Sequence, residues 1–300
     1  MKHVMSVSLG SSKRNHKVEI NILGEDFIIE RVGTDGDKKK AIELIREYDG
    51  RVSAFGLGGI DLYLWAGNRR YIIRDALHFA NAAKISPVVD GSGLKNTLER
   101  RVIEYLQREN LVEFRGKKVL VVSATDRFGM AEALEKTGAA MTYGDLIFAL
   151  GIPIPLHSLR TIDILARIII PVVARLPFEM IYPTGEKQES TKSKYGRFFE
   201  EADIIAGDFH YIKRYLPSKI PGKVIITNTV TSEDVKMLAE RGASMLITTT
   251  PELEGRSFGT NVMEAVLVSL SQKPYKELTP RDYEELLDKL AFLPRIEKLN

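Results

Sequence analysis

From Gly116 onward the chain repeatedly runs a few apolar, mostly β-branched residues into a small polar residue and then into a helical stretch. The strand candidates are Val119–Val122, Ala139–Tyr143, Phe178–Tyr182, Asp203–Ala206, Val224–Thr227 and Met245–Thr248. Short apolar strands separated by helices call for a parallel sheet covered on both faces. Between the last two candidates, Thr231-Ser232-Glu233-Asp234 opens a helix with a Thr cap and an acidic residue three positions on. Thr279-Pro280 opens a final helix with Pro at its favoured first position.

Upstream, residues 1–90 read as a smaller α/β unit. VMSVSLG and VEINILGEDFIIERVG are strand-like, with a Gly-Glu-Asp turn inside the second. Lys38 to Tyr48 has helical apolar spacing at Ala41, Leu44 and Ile45 and stops near Gly50. Val52–Leu57 is a further strand and Tyr71–Ala83 a helix, after which Pro87 forces an extended approach to Asp90. Leu94 to Arg108 forms a charged, amphipathic connector helix. At 300 residues the chain is long enough for two cores. The expected fold class is α/β. Residues 1–95 form a substrate domain, 96–272 a Rossmann-like domain including the connector, and 273–300 a C-terminal helix placed to pack back on the first domain.

Composition narrows the function classes. Apolar residues make up 44% and charged residues 28%, with a formal net charge of +3. That charge is too small and dispersed for a nucleic-acid footprint, and Asp37-Lys38-Lys39-Lys40 reads as a solvated helix start. The absence of cysteine removes disulfides, thiolate zinc sites and thiol nucleophiles. The opening residues lack the apolar core of a signal peptide. Ile162–Leu176 is interrupted by Asp163, Arg167, Pro171 and Arg175, short of a membrane span. A cytoplasmic protein is expected, with no membrane or nucleic-acid partner, no metal and a small-molecule substrate; a homodimer is compatible with this.

Ligands of open parallel sheets bind at the carboxyl ends of strands. The turn Ser123 to Gly129 is therefore the place for a pyrophosphate, against the following helix N-terminus. Of the three glycines of a dinucleotide fingerprint only Gly129 is present, at the position for close helix–strand packing. Ser123 and Thr125 offer hydroxyls, and Arg127 compensates Asp126; the alternative is an ordinary βα turn. Asp145, closing the next strand, suits the adenosine ribose and would favour NAD over NADP, or else caps the helix Leu146–Leu150. Gly207, Thr227, Asn228 and Thr248 at later strand ends suit nucleotide contacts or caps. The start of the next helix, at Arg256 to Asn261, favours an anion. His210 is the best-placed histidine, and Trp65 reads as core.

Val88-Val89-Asp90-Gly91-Ser92-Gly93, followed by a helix and the Gly116–Gly129 strand and turn, resembles the quinate/shikimate 5-dehydrogenase family over residues 86–150. The resemblance implies that Asp90 acts at the substrate carbonyl or hydroxyl. The catalytic lysine of that family falls where this chain has none between Lys40 and Lys84, so either Lys84 is recruited or proton transfer works differently. The family's serine pair, which grips the substrate carboxylate, is echoed by Ser8, Ser11 and Ser12. The implied function is an NAD-dependent, with NADP admissible, oxidation of a secondary alcohol on a cyclic hydroxy acid, Asp90 accepting the hydroxyl proton. On the residues alone, the alternative is that Asp90 merely caps the connector helix. The alternatives are a non-catalytic nucleotide-binding regulatory module and another oxidoreductase on the same scaffold.

Overall fold

The computed structural model describes residues 1–66, 69–173, 175, 195–253, 256–257 and 259–300. The first strand, β1 (Lys2–Ser8), is buried from Val4 to Ser8 because it is flanked on both edges and covered on both faces. β2 (His16–Ile22) and β3 (Glu25–Gly33) form an antiparallel hairpin. Its turn is Leu23-Gly24, both at positive φ, as the right-handed twist of a two-residue hairpin requires. α1 (Lys38–Tyr48) begins at Asp37, whose side chain accepts the Lys40 N–H, and buries Ala41 and Ile45. β4 (Ala54–Gly58) follows, then a ribbon of β5 (Tyr63–Ala66) and β6 (Arg69–Ile72), a short α2 (Leu77–Ala80) and β7 (Val88–Val89). The helix expected over Tyr71–Ala83 is thus shortened, because Tyr71 and Ile72 are drawn into strand pairing. The sheet order is β2-β3-β1-β4-β7, parallel except for β2.

α3 (Ser92–Arg108) carries the chain to a second sheet. There β8 (Lys118–Val121), α4 (Phe128–Lys136), β9 (Ala140–Tyr143), α5 (Leu159–Val173), α6 (Gly196–Glu201) and β10 (Ile204–Ala206) follow in turn. Next come α7 (Phe209–Tyr215), β11 (Val224–Thr227), α8 (Ser232–Glu240), β12 (Met245–Thr248) and a ribbon of β13 (Glu252–Leu253) and β14 (Arg256–Ser257). α9 (Thr260–Leu270), α10 (Pro280–Lys289) and β15 (Arg295–Lys298) close the chain. The order β15-β12-β11-β10-β8-β9 is parallel apart from the last strand, which runs antiparallel beside β12. Side-chain alternation splits the strands between two cores: Val119 and Val121 pack under α3 and α4, while Leu120 and Val122 pack under α6 and α7. The protein is therefore α/β, built on two mostly parallel sheets. The strand expected at Phe178–Tyr182 lies outside the described residues.

The two sheets are tied by three chain passages. α3 is the first. The second brings α9 back over β1 and β4 of the first sheet, where Gly56 and Gly91 leave room for the Asn261 backbone; a Cβ on either would lie 2.8 Å from it. Val262, Ala265 and Val266 accordingly sit in one core with Val4, Phe27 and Ile29. α10 lies against α3 and α9 through Tyr283 and Leu287, and β15 then rejoins the second sheet. Among the described residues no helix is long and apolar enough to cross a membrane.

Candidate functional site

The carboxyl ends of both sheets face one cleft of about 480 Å³. In each sheet the strand order reverses beside the first strand, at β1 and at β8, which opens the crevice in which open α/β sheets hold ligands. One wall is apolar: Ile162, Leu165, Ala166, Ile169 and Ile170 of α5, with Leu146 and Leu150 before it. The opposite walls are polar and come from the strand ends.

The turn after β8 is filled by the protein's own carboxylate. Asp145 accepts the N–H of Ala124 at 3.0 Å, the N–H of Thr125 at 2.9 Å and the Thr125 hydroxyl at 2.8 Å. Burial pushes its carboxyl above the usual range against those three donors. Arg127, buried in the same turn, donates to Glu99 on α3, to Asp208 at 2.8 Å and to Asp126 at 3.1 Å. Lys95 completes the network at 2.8 Å from Asp126. Burial and Arg127 pull Lys95 down, but Asp126, Asp61 and Glu99 outweigh them and hold it above an ordinary lysine. Burial alone would raise Asp208, yet Arg127 and its other partners hold it far below the usual carboxylate range. Glu99 rises with burial, and its Oε2 has no partner.

A second carboxylate pair sits at the β7–α3 junction. Asp90 Oδ2 accepts the Leu62 N–H at 2.6 Å and Oδ1 the Ser92 N–H at 3.0 Å. Gly91, at φ 93°, turns its N–H onto Glu264 Oε2 at 2.6 Å, and the Tyr283 hydroxyl donates to Glu264 Oε1. Burial, and then Asp90, push Glu264 up to about 8.

The rim of the first sheet is different in kind. Arg14, after β1, and Arg31, on β3, line the cleft, and His210 and Arg214 face it from α7 one helical turn apart. Arg31 donates to Ser8 Oγ at 2.9 Å and to the Ser11 carbonyl at 3.1 Å. Arg14 Nη1 lies 3.4 Å from His210 Nε2, so the two sheets touch at this point. Burial pulls His210 below its ordinary value; Asp208 opposes that and Arg14 reinforces it. The first turn of α9 faces the same cleft, with Thr260 Oγ1 buried and unpartnered.

Of the residues singled out from sequence, Ser8, Asp90 and Ser123 line the cleft, as do Thr125, Arg127, Asp145 and Asn228. Others do not. Ser11 caps a short turn by accepting the Lys13 N–H, and the Ser12 N–H is held by Asp35. Lys84 is exposed on the loop preceding β7, at the opposite end of that strand from Asp90, with its N–H bound by Asp49. Gly129 serves the approach of α4 to α3, since a Cβ there would lie 2.8 Å from the Asn96 carbonyl oxygen. Gly207 clears the Val122 side chain, Thr227 Oγ1 donates to the Gly207 carbonyl, and Thr248 Oγ1 to the Thr250 carbonyl. Asn228 positions the α7 start, accepting the Phe209 N–H and donating to Asp208. Reading the sequence missed Lys95, Asp61, Arg14, Arg31 and Arg214, which are scattered over elements that meet only in three dimensions. Among the described residues no group of three or more His, Asp or Glu side chains is arranged to hold a metal.

The chain belongs to the family described as "Domain of unknown function (DUF8754)", whose model matches residues 93–299. A second, "Domain of unknown function (DUF8753)", matches residues 3–90. No curated protein matches. Solved structures with some likeness include a galactofuranose binding protein, at TM-score 0.38 and 14% identity over 97% of this chain and 99% of that one. Another is the periplasmic binding protein component of an arabinose ABC transporter from Shewanella sp. ANA-3, at 0.37 and 10% over 97% of each chain. A third is an ABC transporter solute binding protein from Burkholderia multivorans, at 0.38 and 11% over 99% of each. Likeness at this level assigns no function.

These findings correct the expectation of a quinate/shikimate dehydrogenase. The families matched are the two domains of unknown function. The NAD or NADP cofactor falls with it, and so does a nucleotide-binding module: the amides that would receive a pyrophosphate are taken by Asp145, and Asp126 and Asp208 beside them repel one. Asp90 is held on both oxygens by backbone N–H groups, and Lys84 stands elsewhere.

Proposed function

We propose that this protein binds a small molecule in the cleft between its two sheets. The observation that carries this is a cavity of about 480 Å³, lined by apolar side chains on α5 and by convergent polar groups from the strand ends of both sheets. That is the size and mixed lining of a small-molecule site. On this reading residues 1–95 and 96–272 supply opposing walls, with α9 closing the floor. Ser8, Arg14 and Arg31 line one side and Asn228, His210 and Arg214 the other, while Asp90, Thr125 and Arg127 hold the walls in shape. The apolar body of the ligand lies along α5. Native mass spectrometry of the protein isolated from its own cells tests this, alongside Leu165→Glu, which places a charge in the apolar wall. The expected result is a bound small molecule on the natural protein and none on the variant. An empty natural protein whose melting temperature responds to no compound in a broad metabolite set would refute it.

A further inference from the structure

Two ties that cross the cleft respond to acid differently. In the first, Lys95 on α3 stands 4.0 Å from Asp61, beyond β4, and 2.8 Å from Asp126, beyond β8. Lys95 is held above an ordinary lysine; burial would raise Asp126, but Lys95 and Arg127 hold it below the usual carboxylate range. Charges held in that way stay ionised through the neutral range. In the second tie, Arg14 Nη1, after β1, lies 3.4 Å from His210 Nε2 on α7. A guanidinium carries donors only and stays protonated. The bond therefore exists only while Nε2 accepts, which requires the neutral ring with its proton on Nδ1. A protonated ring has a donor on each nitrogen and sets a second cation against Arg14.

We infer that Arg14 and His210 form an acid-sensitive latch over the cleft, closed while the ring is neutral and released when it takes a proton. This rests on the cleft being the binding site and gives that site a control on ligand entry and release. Burial pulls the ring below its ordinary value of 6.5; Asp208, at the head of α7, opposes that and Arg14 reinforces it. Asp234 on α8 and Lys213 on α7, paired at 2.7 Å, act on the ring in opposite senses. The latch is thus closed at neutral pH and opens below 6.5. The Lys95 tie persists there, so acid frees the rim and leaves the network of the β8 turn in place.

Two readouts on the protein without added ligand test the latch. The first is the tautomer: nitrogen-15 spectra of the natural protein at about pH 7.5 should show His210 with the proton on Nδ1 and a bare Nε2. The second is a distance. The chain has no cysteine, so spin labels on Lys17→Cys and Lys219→Cys, exposed positions on either side of the cleft, report alone. That distance should lengthen by roughly 2 Å or more between about pH 7.5 and about pH 5.5. His210→Gln keeps an acceptor that does not titrate and should hold the shorter distance at both values. His210→Lys carries a permanent cation and should show the longer distance at both. A proton on Nε2 at neutral pH overturns the inference, as does a distance unmoved by acid or an acid response that His210→Gln retains. Such a failure strikes the latch alone and leaves the cleft reading to the mass-spectrometric test of its bound molecule.

Discussion

The turn after β8 and the rim beyond β1 face one another across the cleft and hold their charges with different partners. In the turn every charged group is spent internally: Arg127 joins Glu99, Asp126 and Asp208, and Asp145 ties down the backbone of Ala124 and Thr125. At the rim, Arg31 donates to the Ser8 hydroxyl and the Ser11 carbonyl, and Arg14 meets the His210 ring across the two sheets. A buried ion pair is weak evidence of stabilisation in itself, yet removing one partner strands the other. The turn is therefore costly to disturb and has little left for a ligand. The rim meets the cavity through side chains drawn from both sheets.

That contrast sets a scale of effects. Arg127→Met leaves Glu99 and Asp208 buried without their guanidinium and should cost about 3–5 kcal/mol in denaturant unfolding; pairing it with Glu99→Met should return part of the loss. A loss under about 1 kcal/mol would mean the network is ornamental.

The β7–α3 junction gives the next effect, read through pH. Glu264 has an ordinary value of 4.5 and stands at about 8 in the fold, against Asp90 and Tyr283. The native state then holds a proton that the unfolded chain has released, so stability is full below about 4.5 and falls as pH rises towards 8. Glu264→Gln should flatten that slope, which unfolding curves across the interval would read directly. A slope unchanged in the variant would remove Glu264 from the account.

Smaller effects sharpen the picture of each side. Asp145→Ala strands the Ala124 and Thr125 amides and should cost about 1–3 kcal/mol in unfolding free energy. Thr260→Val replaces a buried hydroxyl that has no partner with a methyl of similar shape. It should leave stability unchanged or raise it by about 1 kcal/mol; a clear destabilisation in a thermal melt would mean that Oγ1 is bonded after all.

Local rules carried much of the fold. α1, β11 and β12 begin and end where apolar spacing places them. The Thr231/Asp234 and Thr279/Asp282 capping boxes open the helices their sequence announces. These features are legible because each depends on residues within one or two turns. β15 was not legible: Arg-Ile-Glu-Lys is a short edge strand whose pairing with β12 is decided by tertiary contact. Nor was the return of α9 to the first sheet, since an apolar helix does not state which sheet it covers. For the site, the contiguous motifs misled. Asp90-Gly91-Ser92-Gly93 and Ser123–Gly129 have the look of ligand loops, but their polar groups close on their own backbone and on Asp145. The rim residues, at positions 14, 31, 210 and 214, share no spacing that a motif could capture.

One pair of variants tests the division between the two regions most directly. Arg14→Gln and Arg127→Lys should each be unfolded in denaturant without ligand, and then examined by native mass spectrometry for the small molecule carried by the natural protein. If the rim serves the ligand and the turn serves the fold, Arg14→Gln keeps its unfolding midpoint and loses the bound molecule, whereas Arg127→Lys loses stability and, while folded, still binds it. The reverse pattern, a destabilised Arg14→Gln that binds normally beside a stable Arg127→Lys that does not, would contradict the account.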